Sequence, residues 1–287
     1  MVGVTELTQT QFDTVYNFFS FAIAAMLFTA LFLLLSMNRV LPRYRTALVI
    51  SAIVLGIATY HYFRIIDSFD AAYITDALGG AGTYALAEGA SFNEAYRYVD
   101  WLLTVPLLLV EAVAVLALPR PDARRLLVRL VPASALMIAL GYPGELAVAN
   151  GERALWGALS TIPFLYILYV LFVELTRSMG RQPAEVAISV RNLRWLLLAS
   201  WGFYPIAYMF PMFGFDGSDA FVLRQVGYTV ADVVAKAVFA LVIYKIARLK
   251  SFYDDPEFAL RETGETSSDD PEVAALEPAT GRSAATS

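Results

Sequence analysis

Apolar residues gather in seven long stretches, near 12–37, 46–69, 95–118, 127–148, 153–176, 192–213 and 219–248, with polar connections between them. A helix needs about 20 mostly apolar residues to cross roughly 30 Å of hydrocarbon, so each stretch predicts one membrane-spanning helix. The fold class that follows is all-α: a seven-helix membrane bundle. Charge separates the connections into two sets. Arg39, Arg43 and Arg45 follow the first stretch, Arg120, Arg124, Arg125 and Arg129 the third, Arg177, Arg181, Arg191 and Arg194 the fifth, and Lys245, Arg248 and Lys250 close the seventh. The opposite set has little positive charge beyond Arg153 and Arg224 at helix starts. Cationic loops stay cytoplasmic, so the N-terminus is expected outside and the C-terminus inside.

The outer connection 70–94 carries Gly79, Gly80, Gly82 and Gly89 around Thr83-Tyr84-Ala85-Leu86, a pattern that suits a short hairpin. From Ser251 the chain turns polar and acidic, with Asp254, Asp255, Asp269 and Asp270. The organisation read from this is a transmembrane domain over 1–250 and a disordered acidic cytoplasmic tail over 251–287. Pro106, Pro163 and Pro205 fall inside the stretches, which a packed membrane bundle tolerates better than a soluble helix does. No internal repeat supports a transporter built from inverted halves.

Composition agrees with a bilayer: 58% of the 287 residues are hydrophobic and 16% charged, against about 25% charged in a soluble domain. The net charge of -5 is concentrated in the tail, and nothing points to a nucleic-acid partner. With no cysteine, disulfides, thiolate metal sites and cysteine nucleophiles are excluded, and no metal is expected. The N-terminus reads as lacking a cleavable signal.

Ionisable residues inside a span cost at least about 2.5–3.5 kcal/mol each, so each needs a partner or a task. Lys236 lies mid-span in the seventh stretch, and Asp232 shares its helix face at i-4. Taken alone, this pair reads equally well as a structural ion pair or a functional one. The third stretch tips the balance. There Arg97, Asp100 and Thr104 follow one another at helical spacing along one face, and Glu111 lies about 16 Å further along the axis than Asp100. Two carboxyls on one helix, flanking the depth of a buried amine, form a proton ladder with a switchable nitrogen at its centre. Glu111 has no cation in helical reach and is expected to hold a proton at rest. His61, the sole histidine, lies at the depth of Asp100. It is either a satisfied hydrogen-bonding group or, as favoured here, a direct partner of that carboxyl. Trp101, Trp201, Tyr62, Tyr204 and Tyr208, with Pro205, suit a pocket for a flat, conjugated, apolar ligand bound as a Schiff base.

The run Arg97-Tyr98-Val99-Asp100-Trp101-Leu102-Leu103-Thr104-Val105-Pro106-Leu107 resembles the third helix of microbial rhodopsins. Asp232-Val233-Val234-Ala235-Lys236 and Trp201-Gly202-Phe203-Tyr204-Pro205 resemble their seventh and sixth. The resemblance extends over roughly 12–250. It implies all-trans retinal linked to Lys236 as a protonated Schiff base, Asp100 as counterion and proton acceptor, and Asp232 as second counterion. It further implies Glu111 as proton donor, Arg97 as outer gate, His61 as partner of Asp100, and Thr104 as the group that orients the counterion by hydrogen bonding. Asp100, Thr104 and Glu111 match the outward proton pumps of the proteorhodopsin and xanthorhodopsin branch. Trp101, Leu108, Met137, Ser160, Trp201, Tyr204, Pro205 and Tyr208 fill positions of the retinal pocket, with Leu108 at the colour-tuning position implying green absorption. The strings around His61 and Gly141-Tyr142-Pro143-Gly144-Glu145 narrow the resemblance to the xanthorhodopsin-like branch. There a glycine in the fifth helix, matched by Gly157, opens a window for a carotenoid antenna; a packing glycine is the competing reading.

The activity implied is light-driven outward proton transport by a multi-pass protein of a microbial plasma membrane, a transporter rather than an enzyme, assembled as a pentamer or trimer. A sensory photoreceptor that signals through a partner is the alternative, and Glu111 speaks against it. A third reading is a retinal-free seven-helix transporter or receptor.

Overall fold

The computed structural model describes residues 4–75, 82–147, 149–180, 182–214 and 217–264. Seven long helices dominate: α1 Gln9–Leu35, α2 Pro42–Ala72, α3 Ala95–Leu116, α4 Arg120–Leu146, α5 Asn150–Met179, α6 Ala184–Tyr208 and α7 Gly217–Asp254. A short helix α8, Pro256–Thr263, follows. Six of the seven are long and apolar enough to cross a membrane. The exception by composition is α6, whose first turns carry Glu185, Arg191 and Arg194 before the apolar part begins at Trp195. Each helix packs on the next in sequence, and α1 packs on α7, which closes the ring.

Local chemistry sets where the helices begin. Thr8 caps α1 in a capping box with Gln11, and prolines stand in the first turns of α2, α4 and α8, where a missing N–H costs nothing. Along α1, Phe12, Val15, Phe19, Ala22, Met26, Ala30 and Leu33 recur at helical spacing and are buried. The opposite face leaves Phe28 and Leu35 exposed. In water that would be an aggregation surface; on a membrane protein it faces lipid.

The hairpin expected in 70–94 is present and larger than expected. Strands β2 Tyr73–Thr75 and β3 Thr83–Leu86 pair antiparallel, and β1 Glu6–Thr8 adds to β3 from the other side, giving the order β1-β3-β2. Phe12 stacks on Tyr84 with ring centroids 3.9 Å apart, joining this sheet to the top of α1. Nothing in the hydrophobic pattern points to β1, since three residues are too short for a periodic signal. Gly79 and Gly80 lie outside the described residues, as do Arg181 and the tail acids Asp269 and Asp270. The boundary expected at Ser251 needs correcting: α7 runs on to Asp254 and α8 follows, because the Asp255 side chain accepts from Phe258 N and caps the new helix. Arg248 pairs with Glu262 at 3.2 Å and holds α8 to α7.

The close approach of α6 and α7 depends on Gly227. A Cβ there would lie 2.5 Å from Phe203 Cζ. Gly227→Ala should therefore destabilise the bundle by about 1–3 kcal/mol, read as a lower thermal midpoint of the detergent-solubilised protein. An unchanged midpoint would contradict this contact.

Candidate functional site

The helix α7 is not uniform. Between Gly217–Val233 and Phe239–Asp254 it widens into one π turn, Val234–Val238, with Lys236 at its centre. Such turns often mark functional positions. Lys236 is 1% exposed, and its Nζ donates to Asp100 Oδ2 at 2.6 Å and to Asp232 Oδ1 at 2.9 Å. The lysine and both carboxylates singled out from the sequence thus converge on one nitrogen.

The two carboxylates are held very differently. Asp232 Oδ1 also accepts from Trp101 Nε1 at 3.0 Å and from the Tyr204 hydroxyl at 2.6 Å, while Oδ2 accepts from the Tyr62 hydroxyl at 2.8 Å. With Lys236 that makes four donors, a full set for an anion. Asp100 receives only Lys236, and its Oδ1 has no hydrogen-bond partner among the described residues. An oxygen in that condition has room for a proton.

Two expectations change here. The His61 Nδ1 is 3.8 Å from Asp100 Oδ1, near but not hydrogen-bonded, and lies 2.9 Å from Ile57 O. With Nδ1 directed to a carbonyl of its own helix, His61 stands beside Asp100 in ion-pair range without a hydrogen bond to it. The Thr104 hydroxyl donates to the main-chain oxygen of Asp100 at 2.8 Å, not to the carboxylate. Its hold on Asp100 acts through the backbone.

Arg97, one turn from Asp100, is 3% exposed and lies over the rings of Phe19, Tyr62 and Tyr228 at 5.4–5.9 Å. None of its guanidinium nitrogens has a hydrogen-bond partner among the described residues. Glu111 is fully buried; the Ser51 hydroxyl lies beside its carboxyl, but neither carboxyl oxygen makes a hydrogen bond of ordinary geometry among the described residues.

Beyond Arg97, near the connection 70–94, lies an ion cluster to which sequence reasoning gave no role. Arg224 bridges Glu94 at 3.0 Å and Glu145 at 3.3 Å, Gln225 also donates to Glu94, and Tyr98 donates to Glu145 at 3.4 Å. Arg153 donates to the main-chain oxygens of Glu145 and Ala147. The signal was available: Glu145 is an acid inside an apolar stretch, just as Asp100 is. What the chain could not give was its distant partner Arg224.

A cavity of about 500 Å³ runs from Lys236 and Asp232 between α3, α4, α5, α6 and α7. Trp101, Leu108, Met137, Gly157, Ser160, Trp201, Tyr204, Pro205 and Tyr208 line it, as does Lys236; Tyr62, also expected in the pocket, does not line it and instead donates to Asp232 from behind. Apart from its end at Lys236 it is walled mainly by apolar and aromatic groups. At Gly157 a Cβ would lie 2.8 Å from Tyr208 Cε1, so a larger residue there requires the end of the Tyr208 ring to move aside. A long apolar molecule with one reactive end matches this shape, so the residues present fit retinal. The Tyr208 hydroxyl donates to Arg153 O at 2.8 Å and ties the far wall to the ion cluster.

Comparison with known proteins supplies the context. Residues 13–249 match the family model described as bacteriorhodopsin-like protein. A green-light absorbing proteorhodopsin of Gamma-proteobacterium EBAC31A08 is 30% identical over 227 residues, 78% of this chain and 82% of the relative. The bacteriorhodopsin of Halobacterium salinarum is 33% identical over 182 residues, 62% of this chain and 67% of the relative. Among solved structures, xanthorhodopsin, described as a light-driven ion pump with dual chromophore, superposes with a TM-score of 0.82 at 49% identity, covering 88% of this chain and 99% of that one. A thermophilic rhodopsin superposes with a TM-score of 0.83 at 44% identity and the same coverage.

Removing Arg224 would strand two buried carboxylates. Arg224→Gln should cost about 3–5 kcal/mol of stability, as the loss of one partner of a buried pair does. Unfolding of the solubilised protein would measure it, and Arg224→Gln with Glu145→Gln together should recover part of the loss.

Proposed function

Because the chain belongs to the bacteriorhodopsin-like family of multi-pass membrane proteins, we propose that it is a light-driven outward proton pump with all-trans retinal carried on Lys236. The observation that carries the reading is the Lys236 nitrogen at the end of an apolar cavity, 2.6 Å from one carboxylate and 2.9 Å from another whose hydrogen bonding is far more complete. Retinal, joined covalently to that nitrogen, would supply a light-driven change in its proton affinity and direction. Trp101, Leu108, Met137, Ser160, Trp201, Tyr204, Pro205 and Tyr208 would hold it.

The chain's own groups then divide the work. Asp100 Oδ2 takes the proton from Nζ, being the closest acceptor and the one with an unpartnered oxygen beside it. Asp232, saturated by Tyr62, Trp101, Tyr204 and Lys236, stays an anion and keeps the nitrogen's environment negative. Thr104 fixes Asp100 through its main chain, and His61 supplies a second polar group within 3.8 Å. The proton leaves past Arg97 towards the connection 70–94. Glu111, on the other side of Lys236 and towards the arginine-rich helix ends, returns a proton to Nζ. With those ends cytoplasmic, net movement is outward.

Gly157 is proposed to give a carotenoid access to the cavity, a reading supported by the dual chromophore of the xanthorhodopsin relative. Gly157→Trp should then abolish carotenoid-sensitised activity while leaving the main visible band. The sensory alternative is less favoured, since it gives the buried Glu111 no task.

Protein made with retinal should show a visible band that Lys236→Ala lacks. Asp100→Asn should keep colour but stop light-driven acidification of the medium, and Glu111→Gln should slow return of the proton to Nζ after a flash. Wild-type acidification by Asp100→Asn, or unaltered recovery in Glu111→Gln, would defeat the respective assignments.

A further inference from the structure

Away from the central cavity, a second crevice of about 260 Å³ opens between the start of α4 and the end of α5. Its chemistry differs from the first. Arg125, Arg129 and Arg177 line it with Asp122, Glu174 and Ser178, three guanidinium groups against two carboxylates. Arg177 is already committed to Glu174 at 3.0 Å. Arg129 donates through Nε to the Tyr166 hydroxyl at 2.8 Å, an interaction that leaves its terminal nitrogens free to bond elsewhere. Arg125 has no hydrogen-bond or ion-pair partner among the described residues, nor does Asp122. The Ser178 hydroxyl is the independent clue: the residue is 6% exposed and lines the crevice, yet its Oγ has no hydrogen-bond partner among the described residues. A buried hydroxyl in that state calls for a polar group in the crevice.

Depth identifies the class of ligand. The 27 residues of α4 span about 40 Å, so roughly 5 Å projects beyond the hydrocarbon at each end. Arg125 then lies near the hydrocarbon edge, and Arg129 about one turn deeper. Side chains tilt towards the start of their helix, which for α4 is this interface, so the Arg125 guanidinium reaches towards the level of lipid phosphates, while that of Arg129, held over the Tyr166 ring, stands on the deep side of the crevice. On the bilayer side, Val128, Leu165 and Tyr169 are exposed and apolar. A basic pocket between helices at the interface, opening onto an apolar lipid-facing surface, matches a phosphate joined to acyl chains. Guanidinium groups also match phosphate oxygens in geometry.

We propose that this crevice binds an anionic phospholipid, its phosphate held by Arg125, Arg129 and the Ser178 hydroxyl and its chain lying on Val128, Leu165 and Tyr169. The proposal needs only that the chain spans a membrane, so it stands or falls independently of the pumping reading.

The test reconstitutes the full chain in phosphatidylcholine vesicles containing a minor fraction of phosphatidylglycerol, extracts it in mild detergent, and counts co-purified lipids by mass spectrometry. Wild type should enrich phosphatidylglycerol roughly tenfold over the mixture. Arg125→Gln with Arg129→Gln should return the ratio to that of the mixture, and Ser178→Ala should lower it in part. Helical circular dichroism checks folding; if the double variant is unfolded, the single Arg125→Gln replaces it. No enrichment in wild type, or equal enrichment in the variants, would overturn the proposal. So would displacement of the lipid by inorganic phosphate alone, which would mark a site for free anions.

Discussion

A single ammonium buried in the membrane interior organises this molecule. Lys236 is tolerable there only because Asp100 and Asp232 approach within hydrogen-bond distance from two different helices. That requirement propagates outwards. To hold Asp232, the bundle brings Tyr62 from α2, Trp101 from α3 and Tyr204 from α6 to one carboxylate, so four helices are tied at one depth. In lipid, where burial of apolar surface gives little drive to helix association, such polar contacts and close packing set the arrangement.

The site gains its direction from unequal satisfaction. A lysine between two equivalent acids would be a static ion pair. Here one acid is held by four donors and the other has an oxygen without a hydrogen-bond partner among the described residues, so the two carboxylates are not equivalent. Three of the buried groups with nitrogen or oxygen atoms lacking a hydrogen-bond partner among the described residues, Arg97, Asp100 and Glu111, lie along one helix, α3, and mark a line of unmet hydrogen-bonding capacity through the bundle.

Much of this was legible before any coordinates. The seven stretches, the face shared by Asp232 and Lys236 and the spacing of Asp100 from Glu111 are one-dimensional facts, and helical periodicity converts them into positions. Where the reading fell short, the missing information was geometric. Sequence depth brought His61 level with Asp100, but whether its Nδ1 would turn to the carboxylate or to Ile57 O depends on a ring torsion that spacing does not encode. Thr104 likewise chose the carbonyl one turn back, an option open to any threonine in a helix. The cluster of Glu94, just before α3, Glu145 of α4 and Arg224 of α7 joins distant parts of the sequence, and only the folded chain brings them together.

The widened turn at Val234–Val238 has a mechanical meaning. An ordinary helix transmits an axial twist along its whole length as a stiff rod, because each carbonyl is fixed by the amide four residues on. In a π turn that bond reaches five residues instead, and the ring it closes is looser. Placed around Lys236, it works like a flexible coupling in a drive shaft: a torque applied at the lysine is absorbed within a turn, and the segments 217–233 and 239–254 need not rotate in step. Lys236 thus sits in the part of α7 best able to yield, and a displacement there need not pass in full to the segments on either side.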